Sequence, residues 1–146
     1  MDANADRPPV PDTLPHSFSE AAIRGLKGHC PRCGEASLFR KWLKVVDRCS
    51  SCGQDWSIQR ADDLPAYISL FITGHVVVPI MMLMILDWGI SAWTTAAVGL
   101  PLTVAMAVAI LQPAKGATVA LMWWMGMHGF RQERRPVAAE TDTAAP

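Results

Sequence analysis

Cys30, Cys33, Cys49 and Cys52 are the only cysteines in the chain, and they form two Cys-x-x-Cys pairs with residues 34 to 48 between them. A two-residue spacer lets both sulfurs of a pair turn toward one ion, and two such pairs complete a tetrahedron. Gly34 and Gly53 follow directly after the pairs and free the backbone to fold its amides around the thiolates. With no histidine or carboxylate in the set, the spacing predicts a closed structural site holding one zinc ion per chain, with no position for a hydrolytic water. Iron fits the same thiolate cage, because thiolates alone do not separate the two metals. Two disulfides or four spare thiols are the other readings of four cysteines, and disulfides belong to oxidising compartments.

The element that must position these sulfurs is short. Between the pairs runs Leu38-Phe39-Arg40-Lys41-Trp42-Leu43-Lys44-Val45-Val46, an aromatic and β-branched stretch that predicts a small antiparallel hairpin. We place a zinc ribbon over residues 24–60. A piece of that size buries too little apolar area to fold alone, so the metal has to supply much of its folding free energy. The same residues hold eight Lys and Arg against three acids, a net +5 within a chain whose formal net charge is +0. Such a module suits anionic lipid headgroups. Nucleic acid is not expected, since no row of aromatic side chains accompanies the charge.

The rest of the chain is apolar. Over 146 residues the hydrophobic share is 51% and the mean hydropathy +0.19, concentrated in the second half. Residues 66–86 and 90–111 carry no Lys, Arg, Asp or Glu. Each is long enough, at about 31 Å or more as a helix, to cross a hydrocarbon core of roughly 30 Å. Only Asp87-Trp88-Gly89 separates them, so a two-helix transmembrane hairpin is read over 61–112, and Pro65 with Asp62 and Asp63 marks its helix start. All thirteen Lys and Arg lie outside the hairpin, which assigns both termini and the metal site to the cytoplasm. That reducing compartment argues against disulfides. Residues 1–23 and 132–146 read as disordered tails.

Within the spans His75 is the one histidine, and an ionisable residue in a membrane is a functional candidate. Its simplest alternative is a bond across the hairpin to Thr95 or Thr103. Ala92, Ala96, Gly99, Thr103 and Ala107 follow at spacings of three and four and predict a helix-packing face against Ser69, Thr73 or Gly74, and Val77. Two helices leave most of their surface to lipid, so a homo-oligomer or a membrane-protein partner is expected. Gln112-Pro113 predicts a break. The apolar segment Ala117 to Phe130 is too short to cross, so 113–131 reads as an interfacial helix, or one that re-enters partway, anchored by Lys115, Trp123 and Trp124. Methionines cluster as Met81, Met82 and Met84 and as Met122, Met125 and Met127 beside His128, a set able to hold copper(I), although methionine is also a common apolar filler.

Taken together, Cys-Pro-Arg-Cys-Gly-Glu at 30 to 35, Leu38-Phe39, Leu43-Lys44, Asp47-Arg48-Cys49-Ser50-Ser51-Cys52-Gly53, Asp63 with Pro65-Ala66, Leu100-Pro101-Leu102-Thr103 and Pro113-Ala114-Lys115-Gly116 resemble a family of small bacterial inner-membrane proteins known as domain of unknown function 983. The resemblance covers about residues 24 to 130. It implies a zinc ribbon fused to two transmembrane helices in the inner membrane. Members often carry glycine and arginine where this chain has Leu64 and Gln112. For some members the resemblance also implies a respiratory accessory role, in the biogenesis of cytochrome c oxidase.

The expected function is a non-enzymatic accessory or assembly protein whose ribbon is an interaction module. The competing reading is metal handling, copper in particular, or thiol redox chemistry by the cysteines with His75 and the methionines. A small transporter subunit using His75 is a third. Enzyme catalysis is not expected, because no nucleophile, base and orienting group occur together.

Overall fold

The computed structural model describes residues 12–133. The elements in order are α1 (Phe18–Leu26), β1 (Phe39–Lys41), β2 (Lys44–Val45), α2 (Leu64–Leu86) and α3 (Ala92–Met125), followed by a 3-10 turn at Met127–Gly129. A four-cysteine ribbon thus precedes a long helical hairpin, as the sequence predicts.

Helix α1 corrects the reading of 1–23 as a tail. Residues 1–11 lie outside the described residues, but from residue 12 the chain packs: Leu14 is buried and Ala21 wholly so. The Ser17 hydroxyl accepts from the Glu20 amide at 3.3 Å, and the Glu20 carboxylate accepts from the His16 amide at 2.8 Å. This is a variant of the capping box, in which hydroxyl and carboxylate satisfy amides left open at the helix start. At the far end the Gly28 amide reaches the Gly25 carbonyl and the His29 amide the Arg24 carbonyl, both at 2.9 Å, with Gly28 at φ 77. Those bonds close the Schellman pattern that only a left-handed residue permits.

The strands pair antiparallel, Phe39 opposite Val45 and Lys41 opposite Lys44, with a bulge between. Isolated bridges at His29 with Ser37 and Arg48 with Asp55 extend the ribbon toward its two cysteine loops.

Helices α2 and α3 are long and apolar enough to cross a membrane. Ser69, Thr73 and Val77 form the buried ridge of α2, and Thr95 and Gly99 answer it on α3. The Ser69 hydroxyl donates to the Ala107 carbonyl at 2.7 Å. A Cβ on Gly99 would meet the Met81 sulfur at 2.9 Å, so Met81 fills the notch that glycine leaves. Ala96, Thr103 and Ala107 are half-buried on the same side, while Ala92 is exposed. The outward faces are apolar, with Leu70, Phe71, Val78, Leu83, Val98 and Val104 all exposed. A continuous apolar sheath of this kind fits lipid and not water.

Two expectations are corrected in α3. The helix does not break at Gln112-Pro113 but runs on through Pro113 to Met125. A proline inside a helix removes one amide and crowds one carbonyl, and here the flanking turns stay packed: Ala114, Gly116, Thr118, Val119, Ala120, Met122 and Trp123 are all buried. Helix α1 crosses this segment so closely that a Cβ on Gly25 or Gly116 would collide with the other's carbonyl. The apolar stretch after Pro113 is therefore the wall of the ribbon's core. The chain turns at Gly126, φ 69, and comes back over the ribbon.

Candidate metal centre

Each cysteine loop is a tight turn in which the residue after the pair bonds back to its first cysteine. The Gly34 amide donates to the Cys30 carbonyl at 2.8 Å and the Gly53 amide to the Cys49 carbonyl at 3.0 Å. Both glycines have left-handed backbone, φ 76 and 70, the conformation that the sequence position demands. The loops face each other across the β-hairpin and bring together the four sulfurs predicted from spacing.

All four thiols are free and buried. Cys30 Sγ lies 3.9 Å from Cys52 Sγ, Cys33 Sγ lies 3.8 Å from Cys49 Sγ, and all four fall within 4.8 Å of one another. A tetrahedral ion with metal–sulfur bonds of about 2.3 Å has sulfur–sulfur edges of about 3.8 Å. The four cysteines thus fit one metal ion with a complete set of ligands.

The electrostatics divide the four thiols. Hydrogen bonding from the Cys30 thiol, with the Gln54 amide and Arg32 nearby, pushes Cys52 down to about 4. Bonding to Cys52 and burial push Cys30 up, and burial raises Cys49. A cation bound there would require the four sulfurs as thiolates.

Arg32, between the first two cysteines, is a residue that sequence reasoning missed. It is wholly buried, its Nη1 donates to the Cys52 carbonyl at 3.1 Å, and its Nε donates to a Glu133 carboxylate oxygen at 2.5 Å. Burial works against its charge, but the bonds to Glu133 and Cys52 outweigh that and hold its pKa above the ordinary arginine value. Glu133 and Gln132, which bonds the Met125 carbonyl at 2.9 Å, correct the start of the second tail. Residues 134–146 lie outside the described residues.

Trp56 is the second missed residue. Four positions after Cys52, it is wholly buried against Trp123 at 6.5 Å and Phe130 at 5.6 Å. Trp123 is therefore core and not the membrane anchor expected of it. Trp124 is half-buried beside Phe18 at 6.3 Å, and Lys115 is half-buried next to the ribbon hairpin. His75 bonds across no interface: its Nδ1 donates to the Phe71 carbonyl at 2.8 Å on the exposed side of α2. Thr103 bonds the Gly99 carbonyl in its own helix. His75 sits two residues from both Thr73 and Val77, about 200° around the helix from that ridge. Met122 belongs to the core cluster.

The family described as Protein of unknown function (DUF983) matches residues 39–123, more than half of the chain. The chain belongs to that family. No curated protein and no solved structure is significantly similar to it. In this DUF983 protein the matched region takes in Cys49, Cys52, both long helices and Trp123, and the first cysteine pair completes the centre from outside it.

Proposed function

We propose that this chain is a multi-pass bacterial inner-membrane accessory protein whose cytoplasmic zinc ribbon is a rigid interaction module. The observation that carries the reading is the closed set of four buried sulfurs at tetrahedral separations. Zinc bound there would be held by Cys30, Cys33, Cys49 and Cys52 and would supply structure. A tetrahedral ion with four thiolates has no position for substrate or water, which makes the reading non-enzymatic. The ribbon shares its core with the end of α3 through Trp56, Trp123 and Phe130, so it projects from the membrane at a fixed angle suited to a protein partner. The distribution of Lys and Arg supports cytoplasmic termini. The process that the family resemblance suggests is biogenesis of a respiratory oxidase, with a membrane protein or a second copy of the chain as partner.

The test is a challenge of the purified, zinc-loaded protein with a chelator and with copper(I), followed by thiol titration. Structural zinc stays bound while the ribbon is folded, and the thiols remain unreactive. Prompt exchange for copper, or a reversible disulfide at mild potentials, would replace this account with metal handling or redox chemistry.

A further inference from the structure

Between the ribbon hairpin and α3 lies an open cleft of about 580 Å³ lined by Lys41, Trp42, Lys44, Asp47, Trp56 and Lys115, among others. Three ammonium groups border it against one carboxylate, and Asp47 already faces Arg40 at 3.9 Å. One further observation points to an anion. Lys41 and Lys44 are direct cross-strand partners, a juxtaposition of like charges that destabilises a hairpin unless an anion lies between them.

The cleft also has a definite depth. Lys115 follows the uncharged run that ends at Leu111, about 6 Å farther along the same helix. Gln59, another lining residue, precedes the start of α2 at Leu64 by five positions. Both strands of chain therefore place the cleft where the hairpin leaves the hydrocarbon, with the exposed Trp42 suited to the headgroup layer. We propose that this cleft binds the phosphate of an anionic phospholipid headgroup, with Lys41, Lys44 and Lys115 as its cations. The proposal rests on the membrane reading above, and it gives the ribbon a second contact with the bilayer besides its tether.

The full-length protein, purified in mild detergent and analysed by native mass spectrometry, tests this with phosphatidylglycerol, phosphatidylcholine and inorganic phosphate as separate probes. Wild type should retain phosphatidylglycerol in preference to phosphatidylcholine. The triple change Lys41→Gln, Lys44→Gln and Lys115→Gln should cut that preference by about a hundredfold, with zinc content unchanged. The charge-matched change Lys27→Gln, Arg48→Gln and Arg131→Gln, at residues that do not line the cleft, should leave it. If the triple variant loses zinc, Lys115→Glu, which alters no ribbon residue, should still reduce the preference. Equal retention of the two lipids, or an unchanged preference in the cleft variants, overturns the site. Displacement of the lipid by millimolar inorganic phosphate overturns the lipid assignment and leaves a soluble phosphate as ligand. A protein that stays in the aqueous phase without detergent contradicts the membrane reading itself, an outcome separate from the loss of headgroup preference.

Discussion

Arg32 and Glu133 stand 101 positions apart in the chain and meet at 2.5 Å, one wholly buried between Cys30 and Cys33 and the other at the end of the described chain. The pair ties the first cysteine loop to the segment that follows α3. Glu133→Ala should cost the ribbon about 3 kcal/mol, because it removes a carboxylate that the buried guanidinium bonds directly. The paired change Arg32→Met and Glu133→Leu should recover much of that loss. Urea unfolding followed by tryptophan fluorescence at saturating zinc measures both.

The crossing of α1 and α3 depends on two glycines. Gly116→Val places side-chain atoms where the Gly25 carbonyl lies, an overpacking expected to cost about 1–3 kcal/mol. Limited proteolysis should then cut within α1 while α2 and the membrane part of α3 stay protected.

Trp123 and Trp124 are adjacent and should behave differently. Trp123→Ala opens the core shared with Trp56 and should destabilise the ribbon by about 3–5 kcal/mol. Trp124→Ala, at a half-buried position, should cost clearly less. Neither change should release the protein from membranes, as carbonate extraction would show. Release by Trp123→Ala alone would restore the anchoring role that its burial denies.

Acid should loosen α1 through Glu20. The His16 amide bond and the Arg24 ion pair hold its carboxyl below the ordinary carboxylate range. A carboxyl whose folded pKa is depressed contributes stability that is complete above the unfolded pKa and is lost as pH falls through the folded one. The stability difference between wild type and Glu20→Gln should therefore be constant above that range and vanish below it. A difference that grows on acidification would contradict the assignment.

The four-cysteine cluster was legible because its information is local: two cysteines per turn and a glycine that can take a positive φ. The hairpin between the pairs and the two apolar spans followed from runs of residue type for the same reason. Helix α1 was obscured by the prolines and acids of residues 1–22, although Ser17, Glu20 and Gly28 carry start and stop signals. Pro113 was misread because a breaker rule weighs one lost amide, while the neighbouring turns are held by packing against α1 and the ribbon. The burial of Trp123 and the Arg32–Glu133 contact depend on residues far away in sequence, so no local pattern could place them. His75 was a matter of angle, and its distance from Thr73 and Val77 already put it on the outer face.

X-ray absorption at the metal edge of the purified protein, with metal content per chain, tests the central claim most directly. The account predicts one zinc per chain with four sulfur neighbours at about 2.3 Å, lost in Cys33→Ser. Nitrogen or oxygen in the first coordination sphere, a different resident metal, or a metal-free protein with four titratable thiols and a folded ribbon would contradict it.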